Sequence, residues 1–265
     1  MRPSIQQRRT LARPCALLYA AALWMNTHTA GADDAGTNHW AGSVSAGLGV
    51  AGGNTEDFQI GAAAETHRKY TVDEWKFGAG LTYGETTREE KNALGVNKDK
   101  TDVTTDLVTG FAQYNHLFTE RFYVGARLDG LHDGTAELTY RLTLSPLAGY
   151  YFIKGDKTTL SGEAGPAFVL EKHYGKDATS FVALRLSERL EHKFNEAVKV
   201  WEQVDVFPQI NQFEDYLVVA DIGIQADLTK QLAWKTVFQD RYDNRPAAHT
   251  GKNDYNLLTS IVYKF

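Results

Sequence analysis

The chain is poor in the features that commonly assign a protein to a compartment or a reaction. Its single cysteine, Cys15, lies close to the N-terminus. An exported chain with so little cysteine has no disulfide framework. No uninterrupted apolar run reaches the ~18 residues that a membrane-spanning helix needs. Amphipathic helical periodicity is scarce as well. No pair of histidines has H-x-x-x-H spacing, so there is no sequence support for a zinc site, and no metal or other cofactor is expected. No G-x-S-x-G elbow occurs. Acidic residues outnumber basic ones, 33 to 28, and no basic stripe forms, which argues against a nucleic-acid partner.

The N-terminus carries a targeting pattern. Arg2, Arg8, Arg9 and Arg13 precede a short apolar run from Cys15 to Trp24, and Ala30-Gly31-Ala32 is a small-x-small cleavage site. Residues 1–32 therefore read as a secretory signal peptide, with 33–38 a linker and 39–265 the folded domain. The segment contains those four arginines and only acid-free sequence, so its removal makes the chain more acidic than the formal net charge of −5.

Beyond it, segments of roughly 10–13 residues alternate in character, each closed by a turn signal. In His39–Ala51, Trp40, Val44, Ala46, Leu48 and Val50 share one face, and Ser43, Ser45, Gly47 and Gly49 the other. Phe58–Tyr70, Trp75–Glu85, Val103–Phe118, Phe122–Leu131, Glu137–Phe152, Thr158–Leu170, Phe181–Phe194, Val198–Phe207, Tyr216–Leu228, Leu232–Tyr242 and Asp254–Phe265 continue the series. These are about twelve strands, the even number that a bacterial barrel uses. Short connections (Tyr70–Glu74, Phe118–Arg121, Asn195–Ala197, Leu228–Gln231) alternate with long polar ones (Thr87–Lys100, Asp243–Lys252). Trp40, Tyr70, Trp75, Tyr123, Tyr151, Phe152, Phe194, Tyr242, Tyr255 and Phe265 lie near strand ends, where an aromatic girdle belongs. The fold class is all-β, a transmembrane antiparallel up-and-down barrel in the bacterial outer membrane, with short periplasmic turns and longer outer loops. A soluble β-sandwich and a lipocalin-like barrel are the alternatives.

The last strand, DYNLLTSIVYKF, sets Tyr255, Leu257, Thr259, Ile261, Tyr263 and Phe265 on one face. Ending on an aromatic residue, with Tyr255 and Tyr263 on the same face, it resembles the C-terminal assembly signal of outer-membrane barrels. The implied partners are the barrel-assembly machinery, outer-membrane lipid and lipopolysaccharide. More widely, the chain resembles an uncharacterised, YdiY-like family of salt-induced outer-membrane proteins. The residues that carry this are Trp40 with GSVSAGLGVAGGNTEDF, Tyr140-Arg141-Leu142-Thr143 with Gly149-Tyr150, Arg241-Tyr242-Asp243-Asn244, Lys252-Asn253-Asp254 and Val262-Tyr263-Lys264-Phe265. The resemblance implies an outer-membrane barrel and no established activity, substrate or catalytic residue.

Alternation assigns Glu65, Lys76, Arg127, Asp129, Arg141, Glu163, Arg185, Arg189, Asp221, Asp227 and Lys235 to the inner wall, both signs interspersed. Two readings follow. The charges fill the lumen as a salt-bridge network, leaving a structural or envelope-stress barrel that is plugged. Or they line a narrow passive channel and orient a small polar solute or ion. A third reading, a lipid-modifying enzyme, needs a Ser–His pair at the outer rim. His132 and His173 lie near outer loops without a serine partner, so no catalytic residue is assigned and no enzyme is expected. Gly47-x-Gly49-x-x-Gly52 spells a dinucleotide fingerprint but lacks the helix N-terminus that would hold a pyrophosphate, so small residues on a narrow inner face explain it better.

Glu188 and Glu202 stand apart. Alternation groups Glu188 with Val182, Leu184, Leu186 and Leu190, and Glu202 with Val198, Val200, Val204 and Val206. Two carboxylates on a hydrocarbon face call for cover, by a subunit contact or by a bulge that turns them inward. A register error is the plain alternative, and the oligomeric state stays open.

Overall fold

The structure, a computed structural model, describes residues 38–52, 57–91, 97–245 and 252–265. Residues 1–32, expected as a signal peptide, most of the expected linker, the Gly53-Asn54 part of the first turn and the interior of Asp243–Lys252 lie outside the described residues.

Twelve strands follow one another: β1 (Ala41–Gly52), β2 (Asp57–Tyr70), β3 (Asp73–Lys91), β4 (Asn97–Leu117), β5 (Phe122–Asp133), β6 (Leu138–Lys154), β7 (Thr158–His173), β8 (Thr179–Lys193), β9 (Val198–Gln209), β10 (Gln212–Asp227), β11 (Leu232–Asp243) and β12 (Asn253–Lys264). Each pairs antiparallel with its sequence neighbours, and β12 returns to β1 to close the barrel. The seam runs from Ser43↔Lys264 to Gly52↔Tyr255. Gly42 and Phe265 then exchange two backbone hydrogen bonds, each 2.9 Å. Closure leaves no edge strand with unpaired N–H and C=O groups.

Closure inverts the usual arrangement of a globular core. The outer surface carries the large apolar side chains, among them Leu48, Ile60, Leu81, Leu128, Leu144, Ile222, Leu257 and Ile261, all exposed. The buried side chains of the inner wall are largely polar: Gln59, Gln113, Arg127, Arg185, Gln203, Asp205, Asp221 and Lys235. Strand alternation puts one set out and the other in, and an outward apolar belt suits a hydrocarbon surround.

The strand count and order agree with the sequence reading, and the edges differ where water reaches both faces. The Thr87–Lys100 stretch, expected as a long loop, continues β3 and β4 as paired strands, with residues 92–96 outside the described residues. Glu85↔Val103, Thr87↔Thr101 and Lys91↔Asn97 stay paired beyond a register shift at Gly84/Glu85. Where a ladder runs on past an apolar belt, no hydrocarbon imposes apolar alternation on it, so the sequence pattern does not mark it as strand. At the same end, β9 and β10 meet through only two residues between Gln209 and Gln212, with a register shift between Gln212 and Tyr216. The connections at that end are therefore not uniformly long. Two girdle residues are corrected as well. Tyr123 and Tyr151 face inward, their rings 5.2 Å apart, because their parity matches Arg127 and Ser145.

Candidate functional site

Every charge that alternation assigned to the interior lies on the inner wall, but the residues do not form one group. Arg127, Asp129, Glu163, Arg185 and Arg189 join a continuous chain of contacts along β4–β9. Arg127 donates from Nε to Asp129 Oδ1 at 2.9 Å and from Nη1 to Gln113 Oε1 at 3.1 Å. Gln113 Nε2 in turn donates to Glu163 at 3.1 Å. Glu163 also accepts from the Tyr123 hydroxyl at 2.9 Å and from Arg185 Nη1 at 2.8 Å. Arg185 reaches on to Asp205 at 3.0 Å, which accepts from Gln203 Nε2 at 2.7 Å. Arg189 donates to Gln203 at 3.0 Å and pairs with Glu191 at 3.4 Å, and Lys199 lies 4.0 Å from Glu191. Charge-assisted bonds of this kind are stronger than neutral ones, and each partner holds its neighbour's rotamer.

These side chains run around the wall. Glu163 on β7 is bonded from β4 and β5 because the intervening inner positions, Gly125 and Gly149, carry no side chain. At Gly149 a Cβ would overlap the Tyr123 ring. At Gly223 it would overlap the Trp201 ring, which lies flat across β10. Glycine here is a clearance that lets a long side chain lie down on its neighbour.

The opposite wall, from β12 through β1 to β3, is different. Its middle is lined by Ser45, Gly47, Gly49, Gly61, Ala63, Gly80, Thr82 and Ser260, with Glu65 and Lys76 as its central charges. Asn256 Nδ2 donates to Gln59 at 2.9 Å, and Leu258, Ala63 and Phe111 pack together. Lys235 is buried on β11, and Asp221 accepts from Gln239 at 2.6 Å. Asp227 pairs with Lys264 at 2.6 Å near the end that holds both termini.

Arg141 falls outside these groups. It stands directly across from Glu171 near the opposite end, bonded from Nε at 2.9 Å. The pair is almost fully enclosed, at 2 % and 0 % side-chain exposure. His173 lies 3.8 Å from Glu171. His132 contacts the Thr139 carbonyl at 3.0 Å. Gln113, Glu191, Lys199, Gln203 and Asp205 carried no site assignment in the sequence, and Tyr123 read there as a girdle residue. Lys199, Gln203 and Asp205 share the strand face opposite Glu202, so parity alone would have found them. Among the described residues no group of three or more His, Cys, Asp or Glu is arranged to hold a metal ion.

Glu188 and Glu202 face outward. The β8–β9 register runs without a shift from Leu186↔Val206 to Lys193↔Lys199, so no bulge turns either residue inward.

The model of a family described as "Protein of unknown function, DUF481" matches residues 44–265. No curated protein matches the chain. Among solved structures, the NanC porin superposes with a TM-score of 0.54 at 7 % identity, over 84 % of this chain and 100 % of that one. The KdgM porin in complex with disordered oligogalacturonate gives 0.49 at 9 % identity, covering 84 % and 99 %. The translocator domain of the autotransporter NalP from Neisseria meningitidis gives 0.48 at 13 % identity, covering 88 % and 90 %. At these identities the likeness is one of fold: a closed antiparallel barrel of the kind found in outer-membrane proteins.

Proposed function

We propose, for a chain that belongs to the family described as Protein of unknown function, DUF481, the function of a passive outer-membrane channel for small polar solutes or ions. The observation that carries this reading is the way the inner wall is furnished. Arg127, Arg185 and Arg189 are tied sideways to partners on the same wall, and the middle of the facing wall is largely glycine, alanine, serine and threonine around the charges of Glu65 and Lys76. In this reading, side chains held close to one wall opposite small ones leave room for water along the lumen, with Tyr151 reaching Glu74 of the facing wall at 3.4 Å. Paired charges of both signs orient a polar solute without binding it tightly enough to stop transit. In this reading the end with both termini is periplasmic and the β3–β4 hairpin stands outside. The apolar face of β12, with Tyr255, Tyr263 and Phe265, is the surface offered to the assembly machinery.

The test is single-channel conductance of the purified protein in a planar bilayer. Steady conductance is expected, with selectivity moving toward cations in Arg127→Ala. A folded barrel that stays silent would overturn the channel and favour a structural barrel with a plugged lumen.

A further inference from the structure

Three of the chain's six prolines stand in one row across the sheet. By the strand registers, Pro146 on β6 falls opposite Pro166 on β7, Pro166 opposite Leu184 on β8, and Leu184 opposite Pro208 on β9. Strand alternation puts this row on the outward face, with the exposed Leu144, Phe168 and Leu186. A proline has no N–H to give to a ladder. The β6–β7 ladder stops at Leu144↔Phe168 and resumes at Ala148↔Ala164 in the same register, so no bulge causes the gap. The β8–β9 ladder likewise skips from Leu186↔Val206 to Ala183↔Gln209. At the first gap glycine lets the backbones come close, since a Cβ on Gly165 would overlap the Pro146 carbonyl oxygen. A Cα–H contact there is a weak substitute for the missing N–H donors.

Between the two gaps, β7 and β8 stay paired with each other without a break from Thr158↔His192 to Glu171↔Thr179. The row divides this hairpin into two halves. The half nearer the termini is bolted to β9 by the ladder from Leu186↔Val206 to Lys193↔Lys199 and by Arg185, which reaches Asp205 at 3.0 Å. The other half, residues 167–183, is tied on its β6 edge. There the ladder runs on from Leu144↔Phe168, and the enclosed Arg141–Glu171 pair bridges the strands. On its β9 edge, among the described residues, only the ladder pair Ala183↔Gln209 follows the gap, because β9 ends there. The contact that closes this edge from the lumen side is apolar. Val169 and Phe181 of the hairpin pack with Phe207 of β9 and with Leu217 and Val219 of β10.

We infer that residues 167–183 of the β7–β8 hairpin form a leaf that swings on the proline row and opens the wall between β8 and β9, passing a small apolar molecule between the lumen and the bilayer. The row supplies the line of bending, because ladder bonds that would resist it are missing on both edges of the hairpin. The β9 edge supplies the opening. Parting it separates Val169 and Phe181 from Phe207, Leu217 and Val219, and uncovering that surface to water is costly. A molecule that offsets the cost by replacing the lost contact is itself apolar. The outside of the gap selects the same class. Val182, Leu186 and Phe168 are exposed there on the apolar belt, and a polar solute would be stranded in hydrocarbon. This route leaves the wall sideways and is separate from the axial path proposed for polar solutes.

The test locks the β9 edge. In a Cys15→Ser background, Ala183→Cys with Gln209→Cys places thiols directly across the β8–β9 ladder, at a separation a disulfide spans. The protein is reconstituted into vesicles with lipopolysaccharide in the outer leaflet, and heat-modifiability on gels confirms a folded barrel. The probe is phenylnaphthylamine, whose fluorescence rises when it enters hydrocarbon. Uptake with the native chain should exceed that of protein-free vesicles. The oxidised lock should fall to the protein-free rate, and dithiothreitol should restore it. Pro146→Val with Pro166→Val, which returns N–H donors to the ladder, should slow uptake roughly tenfold. Ion conductance along the axis should be equal in the oxidised and reduced lock, so a silent pore would remove the channel reading and leave the leaf standing. Native uptake no faster than in protein-free vesicles, an oxidised lock as fast as the reduced one, or unchanged uptake in the double valine variant would overturn the leaf.

Discussion

The two walls of the lumen are made of the same backbone and differ in what they ask of their side chains. Along β4–β9 the charged and amide side chains of the inner wall are committed to one another: Glu163 alone accepts from Gln113, Tyr123 and Arg185. From β12 to β3 the middle of the wall is small: glycine, alanine and serine surround Glu65 and Lys76, and Asn256 donates to Gln59. A buried network is worth having only when complete, because a group that loses its partner keeps the cost of burial. A small side chain such as Ser45 has little to lose. Stability should therefore be concentrated on one side of the pore and free volume on the other.

The largest break in this contrast is predicted for Glu163→Leu. It leaves Arg185, Tyr123 and Gln113 each short of a partner, and unfolding by guanidinium in micelles should register a loss of about 3–5 kcal/mol. An unchanged midpoint would show that the network is ornamental. Gly149→Ala comes next. Its methyl group must displace the Tyr123 ring, and with it the bond to Glu163, at a cost of about 1–3 kcal/mol in the same assay. Third, Arg185→Ala frees both Glu163 and Asp205. Reversal potentials across a salt gradient should shift toward cation selectivity, and the shift should shrink as bulk salt rises and screens the wall. The smallest effect belongs to the other wall. Ser45→Ala should move the unfolding midpoint by no more than about 0.5 kcal/mol and leave selectivity unchanged. If Ser45→Ala proved as damaging as Gly149→Ala, the division of the lumen into two walls would fail.

Most of the barrel was legible because its alternation is enforced from both sides. Val44, Leu48, Leu257 and Ile261 must meet lipid, and Ser45, Gly47 and Ser260 cannot be replaced by bulk without crowding the seam. The signal disappears where one of those pressures is absent. Beyond Glu85 the β3–β4 hairpin has no hydrocarbon to face, so its residues read as a loop. The charged inner residues were legible one strand at a time, and their connections were not. That Gln113 on β4 meets Glu163 on β7 depends on curvature and on the bare positions Gly125 and Gly149, quantities a single strand does not encode. Tyr123 and Tyr151 were read as girdle residues from nearness to a strand end. Their inward parity, shared with Arg127 and Ser145, was the better guide.

The seam between β1 and β12 has a consequence in time. Every other neighbouring pair is a hairpin, able to form from a local stretch of chain, whereas the seam joins residues as remote as Ser43 and Lys264. Its contact order is the highest in the molecule, and contacts of that kind form late because the loop they close is long. Until β12 arrives, the nascent sheet carries two raw edges, the state most prone to pair with another chain. Ring closure is therefore the committing step of biogenesis, and a chain cut short before Asn253 would remain an open ribbon however well its eleven earlier strands had formed.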